Sequence, residues 1–582
     1  MSKFEVSETV KTPWLKNRGV IPATLDYYDG TMWEKCENVC NSYPDFIAYD
    51  FMGGKTKYKE FKGQVEECAK ALKAIGIKED DKVTVCLPNC PQAVIMFYAI
   101  NLVGAISNMI HPLSSENEIA FFLNESESVA AITLDQFYGK FAAIQDQIHI
   151  KTLIISSIKD VLSPVMKVGY ALTSGRKIPK LPKNAPVLLW KDFIDGGRNY
   201  DGEYRAKKTK DDAAVILYSG GTTGTTKGIL LSNNNFNALS TQILAANPMA
   251  KAGDKVLSVM PVFHGFGLGI SIHTFLAFGG CCILVPRFTP ESYAKLLIKH
   301  KCNFVAGVPT LFEALLRQKS MKNADLSFLK GVFSGGDSLS IELKKKLDKF
   351  LSDHHSPVPV REGYGTTECV TASCLTPMHM AKEGSIGIPL PDMYYKIVSP
   401  GTQNEVPYGE EGEICIAGPT VMMEYLHHPD ETAQTLRQHK DGMTWVHTGD
   451  LGLMDEDGFV FFRQRIKRMI ITSGYNVYPS QLENIIDAHE LVQMSCVIGV
   501  PDPYRIQKVK AFIMLKAGVE KSEENKQAII EYCKKNIAKY AIPRDIEFRD
   551  QLPKTLVGKV AYRQLEEEEL AKESADKTTS NV

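Results

Sequence analysis

Lys82-Val-Thr-Val-Cys86, a helical stretch from Gln92 to Asn101, Ala131-Ile-Thr133 and Thr152-Leu-Ile-Ile155 follow one another along the chain. Their order decides the fold class. Short β-branched runs alternating with amphipathic helical stretches predict parallel strands joined by crossovers, hence an α/β architecture. The pattern returns at Lys255-Val-Leu-Ser258, Cys282-Ile-Leu-Val285 and Asn303-Phe-Val-Ala306, so the large body is expected to hold two α/β subdomains. From about Asp392 the texture changes to short strands between Gly and Pro turns: Tyr395-Lys-Ile-Val398, Gly412-Glu-Ile-Cys-Ile416 and Gly458-Phe-Val-Phe461. These read as a small antiparallel sheet or barrel.

A further unit follows Arg465, with a helix at Pro479 to His489, strands at Met494 to Gly499 and Lys508 to Leu515, and a helix at Lys526 to Lys539. Its βαβ-like pattern over roughly 100 residues suits a separate small α+β domain. The expected boundaries are 1–466 for the large domain, 467–565 for the small one and 566–582 for a charged, then polar, disordered tail.

With 582 residues the chain needs more than one core, and 44% apolar with 23% charged residues is the make-up of a globular protein. The 67 basic and 68 acidic residues nearly cancel, which removes the electrostatic case for a nucleic-acid partner. The 13 cysteines carry no zinc-ribbon spacing and read as free thiols. The first residues lack a secretory pattern, so a cytoplasmic location is expected. Two apolar stretches, Val94 to Ile110 and Gly269 to Pro286, are too short or too broken to span a membrane. The segment Val161 to Lys183, with Lys167, Arg176, Lys177, Lys180 and Lys183, reads as a solvated linker cut by Pro164, Pro179 and Pro182; the other reading is peripheral contact with an anionic membrane.

The densest local signal is Tyr218-Ser-Gly-Gly-Thr-Thr-Gly-Thr-Thr-Lys-Gly228, after the apolar run Ala213-Ala-Val-Ile-Leu217. Glycines let backbone N–H groups converge on an anion, threonine hydroxyls add donors, and Lys227 adds a point charge. The spacing is not that of a Walker A loop. Four further segments follow in order: Pro261-Val-Phe-His264-Gly-Phe-Gly267, Ser334-Gly-Gly-Asp337, Tyr364-Gly-Thr-Thr-Glu368 and Trp445-Val-His-Thr-Gly-Asp450. Arg465-Ile-Lys467, Gly474-Tyr-Asn-Val-Tyr-Pro479 and Leu552-Pro-Lys-Thr-Leu-Val-Gly-Lys559 complete the series. Taken singly, His264 reads as a structural histidine, Glu368 as a helix-start acid and Lys559 as a surface lysine.

As an ordered series these segments resemble the adenylate-forming superfamily, which includes acyl-CoA synthetases, the adenylation domains of peptide synthetases and firefly luciferase. The resemblance implies that Ser219, Gly221, Thr222, Thr223, Gly224 and Lys227 hold the ATP phosphates. It places His264 beside the substrate carboxylate, and Gly335, Gly336 and Asp337 along adenine. Tyr364 would lie against the adenine ring, within a nucleotide segment that includes Gly365 and Thr366. Thr367 would stand near the α-phosphate and Glu368 would hold Mg²⁺, a cation suited to one or two carboxylates plus phosphate oxygens. Asp450 would accept the ribose hydroxyls, with Arg465 and Lys467 beside it. Lys559 would act in adenylation, carried by a mobile C-terminal domain whose Gly474 loop later faces the thiol.

The sequence departs from the family pattern at Gly220, Thr226, Gln464 and Arg468, the last standing where an aspartate usually marks the interdomain hinge. The run Pro261 to Pro286 contains no acid to pair an amino group, so an acid with an uncharged tail is expected. Phe266, Gly267 and Val308 are assigned to its pocket, with Gly265, Gly267 and Gly269 giving room. The N-terminal third, including Asp135-Gln-Phe-Tyr138, looks most like bacterial long-chain fatty acid–CoA ligases. The implied reaction uses ATP, Mg²⁺ and coenzyme A on a medium- to long-chain fatty acid, with a homodimer left open. The alternatives are an acyl-AMP ligase loading a carrier protein, an aryl or medium-chain acid–CoA ligase, and a non-catalytic nucleotide- or acyl-binding relative.

Overall fold

A computed structural model of the chain describes residues 9–172, 174–218, 226–472, 475–502, 504–555 and 558–579. Two large sheets carry the expected parallel strands. In the first, Ala213–Tyr218, Ile106–Met109, Lys82–Cys86, Ala130–Leu134, Thr152–Ser156 and Leu188–Leu189 run parallel in that spatial order. Gly228–Ser232 joins antiparallel beside Ala213–Tyr218, and Glu424–Tyr425 closes that edge. The second sheet sets Ile47–Phe51, Cys281–Leu284, Lys255–Ser258, Phe304–Gly307, Gly331–Gly335 and Val360–Tyr364 parallel. Ile47–Phe51 precedes every strand of the first sheet, so the two subdomains are interleaved in sequence.

Each apolar stretch runs from an interior helix into a buried strand. Every residue of the helix Pro91–Leu102 is buried, as is every residue of the π-helix Phe266–Thr274. A helix that is apolar all round belongs in a core. No helix among the described residues is long and apolar enough to cross a membrane. All 13 cysteines are free and buried.

Tyr394–Val398, Gly412–Ala417, Thr444–Met454, Leu436–Gln438 and Val460–Arg465 form an antiparallel sheet. One apolar core extends from Trp14 to Val460 through both large sheets, and a separate core begins at Ile470. The βαβ unit of the small domain consists of Ile506–Leu515, the helix Glu523–Asn536 and the parallel strand Asp545–Phe548. The helix Pro479–Asp487 instead precedes the antiparallel pair Val492–Asp502 and Ile506–Leu515.

Two expectations need correction. The tail expected to be disordered from Glu566 is helical over Tyr562–Thr579, because Leu565 is buried and Glu569 meets Lys510 at 2.8 Å. Such partners are tertiary and invisible to local composition. The segment read as a linker holds the helix Pro164–Leu172; proline is tolerated in a first helical turn, where its missing N–H would have no partner anyway.

Candidate functional site

The C-terminal ends of the second sheet, the antiparallel sheet and the small domain surround a cavity of about 1300 Å³. Ser219, Gly221, Thr222, Thr223, Gly224 and Gly474 lie outside the described residues. Lys227, His264, Gly336, Asp337, Tyr364, Gly365, Thr366, Thr367, Glu368, Asp450, Arg465, Lys467 and Lys559 all line it. Groups spread over more than 300 positions are thereby brought to one space.

Tyr364 ends the strand Val360–Tyr364, and its hydroxyl donates to Asp450 Oδ2 at 2.7 Å. Asp450 is paired in register with Arg465, whose Nε stands 3.4 Å from Oδ1. That Oδ1 is buried and accepts no hydrogen bond among the described residues, leaving an acceptor of the kind a vicinal diol satisfies. Burial raises the Asp450 pKa, opposed by Arg465 and the Tyr364 hydrogen bond. Behind it, Glu413 accepts the Gly449 N–H at 3.1 Å and meets His447 Nδ1 at 2.9 Å. Glu413 thus braces the turn that presents Asp450.

Gly365 is required by backbone approach, since a Cβ there would stand 1.5 Å from the Thr371 carbonyl oxygen. Glu368 follows in the short helix Thr367–Cys369. Val370 then takes φ +63 and ψ −57 while Thr371 N–H reaches the Cys369 carbonyl at 2.7 Å. This is the strained hand of the γ-turn, rare for a β-branched residue. Gly265 packs on it, because a Cβ at Gly265 would meet the Val370 oxygen at 1.7 Å.

His264 opens the π-helix, and its Nδ1 accepts the Phe266 N–H at 3.1 Å. Accepting at Nδ1 leaves the hydrogen on Nε2. Burial and the Lys559 charge push its pKa down to about 3, so the ring is neutral. The glycines of this helix do not make room for a ligand as expected. Cβ atoms at Gly267 and Gly269 would meet the Pro261 oxygen at 2.1 Å and Leu239 Cδ2 at 2.8 Å. They let the helix seat on backbone and core. Phe266, Val308 and Gly335 stand behind the lining: a Cβ on Gly335 would be 3.8 Å from the Phe266 ring, and one on Gly336 would be 3.6 Å from Val308.

Lys559 reaches in from the small domain. The Thr555 N–H donates to the Lys559 carbonyl at 2.7 Å, and Gly558 takes φ +86. A Cβ on Gly336 would stand 3.5 Å from Lys559 Cε. Burial lowers the Lys559 pKa, opposed by the Asp337 charge. Lys227 lies 3.6 Å from Glu431 and faces the ring of Tyr425. Arg468 points into the small domain, pairing with Glu483, donating to the Val497 carbonyl at 3.3 Å and covering the Tyr562 ring at 4.7 Å.

The motif reading missed Tyr425, Thr310, Glu413 and Glu362. Glu362 precedes Tyr364 by two residues and lines the cavity as a buried carboxyl, its pKa raised by burial to about 8. Alternation along a strand ending in the nucleotide segment was the available signal for it.

The family model described as AMP-binding enzyme matches residues 36–426, and that of the AMP-binding enzyme C-terminal domain matches residues 481–559. A Bacillus subtilis protein named long-chain-fatty-acid–CoA ligase is 35% identical over 566 residues, covering 96% of this chain and 98% of its own. A Salmonella typhimurium protein of the same name is 30% identical over 571 residues, with coverage of 96% and 98%. Among solved structures, an ATP-bound RpMatB–BxBclM chimera superposes with a TM-score of 0.80 at 25% identity, over 93% of this chain and 99% of the other. A cavity lined by both domains, and matches that run nearly end to end, lead to one conclusion: this chain belongs to the AMP-binding enzyme family.

Proposed function

We propose that this protein is an AMP-forming acid–CoA ligase that activates a medium- to long-chain fatty acid as its acyl-adenylate and passes the acyl group to coenzyme A. One observation carries the reading: Lys559 of the small domain enters the cavity that also holds Glu368, Asp450 and Tyr364 of the large domain. The absence of any acid from Pro261 to Pro286 and the names of the long relatives support the fatty acid.

In the first step a carboxylate oxygen attacks the α-phosphorus of ATP, and the bond to the bridging oxygen of the β-phosphate breaks. Pyrophosphate leaves with that electron pair. The protein's work is to position the reactants and stabilise charge. Lys559 would bridge carboxylate and α-phosphate, the Nε2–H of His264 would donate to the acyl oxygen, and Asp450 would hold the ribose. Lys227 would hold the departing pyrophosphate.

Among the described residues no group of three metal ligands occurs. A lone carboxylate, Glu368, whose Oε1 already accepts from Tyr425, fits Mg²⁺ held largely by phosphate oxygens. That ion would neutralise phosphate charge. In the second step the thiol sulfur attacks the acyl carbon and AMP leaves. The domain 467–565, extended by its helix to Thr579, would turn relative to 1–466 between the two steps.

A pyrophosphate-release screen of acids from short to long and aromatic, run with and without coenzyme A, tests the proposal. Release with long-chain acids and acyl-CoA as product is expected. No release with any acid refutes it, and adenylate without acyl-CoA moves the acceptor to a carrier protein.

A further inference from the structure

Between the two groups that would meet the ATP phosphates stands a residue outside the motif series. Tyr425 lies on the short strand Glu424–Tyr425, in register with Ile229 of the strand that starts directly after Lys227. Its hydroxyl donates to Glu368 Oε1 at 2.8 Å. Lys227 Nζ stands 5.3 Å from the centroid of its ring. The same segment grips Glu368 a second time, through the Met422 N–H donating to the Glu368 carbonyl at 2.7 Å. The backbone N–H of Tyr425 donates to Thr432 Oγ1 at 3.0 Å, and the side chain is only 8% exposed.

A glutamate on a short helix has several rotamers, and each one frozen by a neighbour is an entropy cost removed from ligand binding. A phenol that occupies one carboxylate oxygen fixes the direction of the other, which is how outer partners tune metal ligands. An aromatic face likewise attracts an ammonium and limits where it can go. From this geometry we infer that Tyr425 is a positioning residue that sets Glu368 for the metal and Lys227 for the phosphates, using opposite parts of one side chain. The inference rests on the roles given above to Glu368 and Lys227.

Calorimetric titration of the full chain with ATP, with and without Mg²⁺, tests it on wild type, Glu368→Gln and Tyr425→Phe. Tyr425→Phe keeps the ring and its packing and removes the donor. Wild type should bind ATP more tightly with Mg²⁺, and Glu368→Gln should lose most of that gain. Tyr425→Phe should lose about tenfold in affinity with Mg²⁺ while metal-free ATP binding stays within about twofold of wild type. Equal losses with and without metal in Tyr425→Phe would mark a packing role and overturn the inference. A full Mg²⁺ gain in Tyr425→Phe, with Glu368→Gln impaired, would overturn it and leave the site standing. No Mg²⁺ gain in wild type, or a full one in Glu368→Gln, would remove the metal role of Glu368 and the inference with it.

Discussion

Thr310 Oγ1 donates to the Gly558 carbonyl at 2.8 Å, tying the first turn of the large-domain helix Pro309–Leu316 to the residue before Lys559. The bond belongs to the domain arrangement in which Lys559 is inside the cavity. Lys559→Ala should cut labelled pyrophosphate exchange into ATP by a hundredfold or more, about the loss seen when a transition-state donor is removed. Thr310→Val should cost only about two- to tenfold, the worth of one hydrogen bond. Thiolysis of a supplied acyl-adenylate should survive both changes, and equal loss of both half-reactions in Lys559→Ala would refute its role.

Asp450 offers one oxygen to Tyr364 and keeps the other without a hydrogen bond among the described residues. Asp450→Asn should raise the KM for ATP by roughly ten- to a hundredfold, in line with about 1.5–3 kcal/mol for a hydrogen bond to a charged group. Discrimination against 2′-deoxy-ATP should collapse in the same variant. Initial rates with the two nucleotides give the answer, and retained discrimination would move the ribose elsewhere.

Glu362 gives the unliganded protein a pH signature. Its pKa is pushed from 4.5 to about 8 by burial, with the Leu339 N–H opposing. Between those values the native state keeps a proton that the unfolded chain has released, so stability falls as pH rises through this window. Asp487, raised from 3.8 to about 8 by burial, adds a slope of the same sign. Glu362→Gln should flatten the decline and leave the protein more stable than wild type at about pH 9, by on the order of 1 kcal/mol or more. Denaturant melts at several pH values would show it, and parallel slopes for the two proteins would contradict it.

Gly365→Ala should be severe, because its Cβ would lie 1.5 Å from a backbone oxygen. A loss of about 4 kcal/mol or more, or no folded protein, is expected. Gly401→Ala is the control: its φ is +77 but nothing lies within 4 Å, so the cost should be about 1 kcal/mol. Similar denaturation midpoints for the two variants would show that the loop after Gly365 yields easily.

The α/β body was legible because strand periodicity is local, and the convergence of Lys227, Tyr364, Glu368, Asp450 and Lys559 was legible because their motifs occur in a fixed order. What escaped depends on distant partners. The helix Tyr562–Thr579 rests on buried Leu565 and on Lys510, which meets Asp545, Glu547 and Glu569. Tyr425 earns its contact with Glu368 across 57 positions, and its strand has two residues, too short for any periodicity. Arg468, a departure in sequence, is an ion-pair partner of Glu483 in three dimensions.

The glycines of the π-helix bear on any attempt to retune this catalyst. Enlarging Gly265, Gly267 or Gly269 would drive a methyl into a carbonyl or a core leucine, and so would damage the scaffold before it changed selectivity. Phe266 and Val308 stand just behind the cavity wall but are themselves buried in the apolar core, so shrinking them leaves a cavity and enlarging them displaces neighbours. A library of size-conserving apolar exchanges at those two positions should yield more folded members than one spread over the glycines.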